Sequence, residues 1–195
     1  MRAHRLVDKN CLQRWNQALI EESRLPNDTE KELSQIIVAI DPAVTANENS
    51  DETGIVVVGK DHNNEYYVLE DLSGRHTADK WGKIAVNAYY EWEADRVVAE
   101  VNNGGDLVER LIRNIDPNIP YRSVRATRGK IVRAEPIAAL YEQRRVHHIG
   151  IYPELETQMC SYTGDIKTSP DRLDALVWGL SELNKSLGNV NWRIS

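Results

Sequence analysis

The run Ile36-Ile37-Val38-Ala39-Ile40-Asp41, closed by Pro42, constrains this chain more than any other stretch. An unbroken apolar run rich in β-branched side chains suits a central strand covered on both faces. Proline at the next position ends the ladder by removing a donor. Asp41 therefore stands where the interior meets an opening. An ionised carboxylate there is costly to desolvate unless cations or hydrogen-bond donors compensate it. The strand predicts a positive partner for Asp41, and a divalent metal ion is the partner expected.

The following segments supply a sheet around this strand. Gly54 to Lys60 and Glu65 to Leu72 read as two further strands, joined by Asp61-His62-Asn63-Asn64, which has hairpin-turn composition. Thr77 caps a helix with an apolar face of Ala78, Trp81, Ile84, Ala85, Ala88, Tyr89 and Trp92, and a fourth strand follows at Arg96 to Val101. A crossover helix implies parallel pairing, so the fourth strand belongs on the free side of the first. Glu100 then lies near the carboxyl end of its strand, as Asp41 does, and both face one crevice. Asn102 to Gly105 turns into a helix with Leu107, Val108, Leu111 and Ile112. A strand at Tyr121 to Ala126, a helix at Ile131 to Arg144, a short strand at Val146 to Ile149 and a helix at Pro153 to Tyr162 come next. After a polar loop at Gly164 to Thr168, Ser169-Pro170 opens a last helix carrying Leu173, Leu176, Val177, Leu180 and Leu183. Asp171 and Asp174, three apart, share a face at its start.

The expected organisation is one domain over 35–186, preceded by an N-terminal helix and linker over 1–34 and followed by a loose tail over 187–195. Leu12, Trp15, Leu19 and Ile20 recur at helical spacing in the first part, and Leu25 to Ser34 is polar. A terminal helix docked on the domain and an arm leading to another module both fit that pattern. No apolar stretch approaches the ~18 residues of a membrane span. Cys11 and Cys160 have neither metal-pair nor disulfide-framework spacing. The expected protein is soluble, intracellular and without a membrane partner. A net charge of −6 argues against a protein that coats nucleic acid. It leaves room for a nuclease, because an acidic metal site presents negative charge until its ions bind.

The fold class expected is α/β. Three antiparallel strands followed by parallel strands form a central mixed sheet flanked by helices, and this layout resembles the ribonuclease H-like fold. Asp41, Glu100, Asp171 and Asp174 fall into it from separate elements. Like charges brought together resist ionisation, and hard cations relieve them. Magnesium or manganese takes oxygen ligands, and two ions ~3.5–4 Å apart can hold a scissile phosphate while one activates a water.

The stretches Ala39 to Ala43, Ala99 to Gly105, Lys130 to Ala134, Leu155 to Met159 and Ser169 to Leu176 resemble the carboxy-terminal nuclease domain of the large terminase subunit of tailed bacteriophages. The resemblance covers roughly Gln35 to Lys185, and the last of these motifs is the most specific. It implies a metal-dependent endonuclease, with two Mg²⁺ or Mn²⁺ ions, that cuts concatemeric double-stranded DNA during genome packaging in the host cytoplasm. The catalytic and metal-binding acids it implies are Asp41, Glu100 and Asp174, with Asp171 beside them; it does not separate Asp171 from Asp174 as the closer ligand. The partners it implies are double-stranded DNA, an ATPase motor, the portal and the small terminase subunit. The chain has no phosphate-binding loop of the Gly-x4-Gly-Lys-Ser/Thr kind, so the motor is expected on a removed domain or a separate chain.

Arg125, Arg128, Lys130 and Arg133 form a basic cluster at a loop-to-helix start and are expected to contact phosphates without reading sequence. Arg144 and Arg145 suit a solvated helix face equally well. His147 and His148 read as packing or surface residues rather than ligands, and the tryptophans as core. Taken singly, Asp41 would be a turn former, Glu100 a surface charge and Asp171 a first-turn carboxylate favoured by the helix dipole. Asp174 interrupts the apolar side of its helix and resists such a reading. Rival functions are a junction resolvase or ribonuclease H on the same fold, a non-catalytic DNA-docking module, and an actin-like ATP-binding module, which lacks its glycine-rich loops here.

Overall fold

The computed structural model describes residues 15–42, 52–101, 106–126, 129–162 and 170–185. The turn at Asn102 to Gly105, Arg128, the loop at Gly164 to Thr168, the Ser169 cap and the tail lie outside the described residues, and the N-terminal helix begins only at Gln17, capped by the Asn16 side chain, so that Trp15 precedes it.

The apolar run forms β1 (Leu33–Asp41), the centre of a six-stranded sheet with order β5-β4-β1-β2-β3-β6. On one side β1 pairs antiparallel with β2 (Gly54–Asp61), which pairs antiparallel with β3 (Tyr66–Asp71). On the other it pairs in parallel with β4 (Arg96–Glu100), and β5 (Tyr121–Val124) continues in parallel. The mixed sheet and the parallel neighbour of β1 are therefore as the connectivity predicts. The strand starts earlier than the apolar run, at Leu33, because Leu33 pairs with Asp61 and Gln35 with Lys60 across an irregularity in register. The Ser34 hydroxyl donates to the Lys60 carbonyl at 2.9 Å, which ties residues read as linker to the sheet. The short strand β6 (Val146–His148) sits beside β3 at the far edge.

Alternation along β1 explains its composition. Ile37 joins an apolar cluster on one face, with Val56 and Val58, while Val38 and Ile40 join another with Ile55 and Val57. The second cluster lies under α2 (Ala78–Glu91) and α3 (Asp106–Ile115), and the first under α4 (Lys130–Glu142), α5 (Pro153–Ser161) and α6 (Asp171–Lys185). Leu173, Leu176, Leu180 and Leu183 of α6 are all buried there, each worth on the order of 2 kcal/mol of burial.

The short helix α1 (Gln17–Glu22) is docked on this face through Trp15 and Ile20, both buried. Arg24 beyond it bonds the Gly150 carbonyl and forks onto Glu156 of α5 at 2.7 and 2.9 Å. Glu156 also accepts from His148 Nδ1 at 3.1 Å, and the Tyr141 hydroxyl donates to His148 Nε2 at 2.8 Å. Burial pulls the His148 pKa down, which keeps the ring neutral and matches this one-donor, one-acceptor pattern. Both histidines pack inside the fold: His147 bonds the Ser23 carbonyl and Glu65 and stacks on Tyr67.

Candidate active site

Asp41 ends β1 and Glu100 ends β4, directly after the parallel pair Ile40 and Ala99. Asp171 and Asp174 come from the first turn of α6. What lets that helix begin beside Asp41 is Gly54, the residue opposite Asp41 in the β1–β2 register. A Cβ on Gly54 would lie 2.0 Å from the Asp171 carbonyl oxygen, so the strand and the helix backbone touch where no side chain fits. Further along the same helix, a Cβ on Gly179 would lie 2.7 Å from Val58 Cγ2.

The start of α6 is held from two other directions. Gln158 of α5 accepts from the backbone N–H groups of Arg172 at 3.1 Å and Leu173 at 3.3 Å, satisfying two donors that the helix leaves open. Arg172 bonds Asp71 of β3 at 2.7 Å and Glu52.

All four carboxylates are buried: Glu100 is 4 % exposed, Asp174 5 %, and Asp41 and Asp171 7 % each. Burial pushes the Asp41 pKa well up, and the charges of Asp174, Glu100 and Asp171 push it further. The three acids that sequence reasoning grouped with Asp41 are thus the three that act on it. Asp174 is also raised, first by burial, against the lowering pull of Lys130 and Arg133.

Two cations lie among these acids. Lys130 Nζ bonds Asp174 Oδ2; burial pulls its pKa down, but that bond and the charges of Asp174, Asp41 and Asp171 outweigh burial and raise it. Arg133 is 3.4 Å from Glu100 Oε2 and 3.8 Å from Asp174 Oδ1, and its guanidinium lies 4.4 Å over the Trp178 ring. The Trp178 indole N–H donates to Glu100 Oε2 at 2.6 Å. Lys130 and Arg133 therefore turn inward onto carboxylates, whereas Arg125 is exposed just past β5. Among the described residues no three His, Cys, Asp or Glu side chains are arranged to enclose a metal ion. The donor set still fits a hard divalent cation in chemistry, because every candidate ligand atom is a carboxylate oxygen.

Sequence reasoning passed over Trp178, Gln158 and Gly54. For Trp178 the spacing held a clue, since Asp171, Asp174 and Trp178 stand at i, i+3 and i+7 on one face of α6.

A family model described as the terminase RNaseH-like domain matches residues 38–183, well over half of the chain. The chain belongs to this family. The ribonuclease H-like arrangement of this terminase domain is shared by solved structures. It is similar to a large terminase from a thermophilic bacteriophage that has also been solved with ADP, with TM-score 0.66 and 12 % identity over 88 % of this chain and 44 % of that one. It is similar to the large terminase nuclease from thermophilic phage G20c, with TM-score 0.59 and 12 % identity over 87 % and 98 % of the two chains. The nuclease domain of the large terminase subunit of bacterial virus Sf6 gives TM-score 0.58 and 12 % identity over 89 % and 97 %. At such identity the likeness is one of fold. The terminase domain described here spans less than half of the first of these proteins. A mutant of the Sf6 domain has been solved with manganese and the G20c nuclease with zinc. No curated protein matches the chain in sequence.

Proposed function

We propose that this terminase domain is a divalent-metal-dependent endonuclease that cuts concatemeric double-stranded viral DNA during genome packaging. The observation that carries the reading is the convergence of Asp41, Glu100, Asp171 and Asp174, all buried, with the Asp41 carboxyl pushed up by burial and then by the other three. Such a cluster is what a metal site looks like before its charge is balanced. Asp41, Glu100, Asp174 and Asp171 would hold two Mg²⁺ or Mn²⁺ ions, which supply a polarised phosphate and an activated water when bound. Lys130 and Arg133 limit repulsion within the acids. Arg125, exposed just past β5, contacts the duplex backbone, as Arg128 is expected to. The nuclease domain takes in the strand start at Leu33 and the docked segment Trp15 to Arg24 together with the residues that follow. The names of the G20c and Sf6 nucleases support this assignment, and the ADP complex of the thermophilic-phage large terminase supports an ATPase motor as partner. Portal, small terminase subunit and host cytoplasm follow from the same role; no described helix is long and apolar enough to cross a membrane.

Cleavage of supercoiled plasmid with Mn²⁺, Mg²⁺ or chelator tests the proposal, comparing the parent with Asp41→Asn and Asp174→Asn. Metal-dependent nicking and linearisation, lost in both folded variants, is the expected result. A folded parent that leaves plasmid intact with either metal refutes activity of the domain, and preferential cutting of branched DNA or an RNA strand would move it to the resolvase or ribonuclease H class.

A further inference from the structure

We infer that Trp178 and Arg133 are positioning residues that aim the Glu100 carboxylate at the divalent ion. The inference rests on the metal-site reading above. A glutamate at a strand end has three rotatable bonds, and fixing them costs side-chain entropy. Here the fixing is done from one side. Trp178 Nε1 at 2.6 Å and Arg133 Nη1 at 3.4 Å both address Oε2, which leaves Oε1 clear of these two contacts.

The Trp178 donor is itself immobile. Its ring is 6 % exposed within the apolar cluster on α6, and the Arg133 guanidinium covers it at 4.4 Å. Rotation of the indole would break both contacts. An indole N–H donates and cannot accept, so it holds a carboxylate without competing for the cation. Arg133 is committed to the acids at a local cost: its buried Nε has no hydrogen-bond partner among the described residues. An orphaned donor on an ion-paired arginine is not what packing alone selects. Outer partners of this kind orient metal ligands, and their loss typically lowers metal affinity by about 10–100-fold.

The test is Mn²⁺ binding to the protein without DNA, read by the electron paramagnetic resonance signal of free Mn²⁺. Trp178→Phe keeps a ring under Arg133 and removes the donor. Replacement of Trp178 by 3-benzothienylalanine exchanges N–H for sulfur at nearly constant shape and covers the case in which the phenylalanine variant folds poorly. Arg133→Lys keeps the charge and loses the flat two-point contact. Each should raise the half-saturating Mn²⁺ concentration by about 10-fold or more. Leu183→Ala, a buried change on the same helix away from Glu100, should lower the melting temperature and leave Mn²⁺ binding unchanged. Parent-like binding in the Trp178 and Arg133 variants overturns the positioning role alone. A parent that takes up no Mn²⁺ overturns the metal-site reading and this inference with it.

Discussion

Gly54→Ala tests how tightly the candidate site depends on one backbone contact. The new Cβ would sit 2.0 Å from the Asp171 carbonyl oxygen, 2.6 Å from its carbon and 3.0 Å from Ala175 Cβ. A carbon–oxygen contact normally needs at least ~3.3 Å, so the first turn of α6 must retreat by about 1.3 Å. Backbone cannot step aside as a side-chain tip does. Overpacking of this kind costs typically about 1–3 kcal/mol, which for a domain of this size lowers the melting temperature by roughly 2–12 °C. The same retreat moves Asp171 and Asp174 away from Asp41, and a displacement near 1 Å at a reacting site can cost on the order of 10²-fold in rate. Thermal melting and metal-dependent plasmid cleavage read the two effects. Gly59→Ala is the matched control, because its Cβ would meet only the side-chain ends of Leu33 at 2.7 Å and Leu69 at 3.2 Å. It should melt a little below the parent and cleave at the parent rate. A Gly54→Ala protein that melts and cleaves like the parent would refute the claim that this contact places the acids.

Asp41→Asn should abolish cleavage yet raise the metal-free melting temperature. The raised Asp41 pKa means that its contribution is favourable below the ordinary value of 3.8 and is lost as pH rises through the folded value, so at neutral pH the charge costs stability. The gain should appear in unfolding experiments without metal, and a loss would show that Asp41 has a structural counter-charge. Glu156→Gln should cost about 1–3 kcal/mol in urea unfolding at pH 7, because it removes the counter-charge of the half-buried Arg24 guanidinium. Burial opposes the Glu156 charge, but His148 and Arg24 outweigh it and depress the pKa, so its stabilisation is present above 4.5 and lost as pH falls through the depressed value. Burial depresses His148 as well, so the unfolded chain takes up that proton first, from near pH 6.5 downward. His148 and Glu156 thus favour a loss of stability as pH falls, against the opposite slope of Asp41 and Asp174, so Glu156→Gln should lose less stability than the parent below pH 4.5; parallel profiles of the two proteins there would contradict the Glu156 shift.

The sheet and the acids were legible because each depends on local pattern. An apolar run ended by proline marks β1, a helix between strands dictates the parallel neighbour β4, and a spacing of three puts Asp171 and Asp174 on one face. The orientation of Lys130 and Arg133 was not legible. A basic cluster at a helix start reads equally as a surface for phosphates or as counter-charge for acids, and what decides is the arrival of Asp174 and Glu100 from elements distant in sequence. The bond from Gln158 to the start of α6 and the extension of β1 to Leu33 are likewise set by neighbours in space. Only Trp178 could have been found from spacing, by asking what stands one turn beyond Asp174.

Two of the four acids ride on α6, the described element furthest along the chain, while the others sit on β1 and β4. As the polypeptide leaves the ribosome, β1 to β4 can pair while the apolar face that α6 will cover is still bare. Until that helix arrives, Asp41 and Glu100 lack their companions, so under the proposed function the nascent chain holds only half of its site. Completion of the core and assembly of the four acids thus coincide in one docking event.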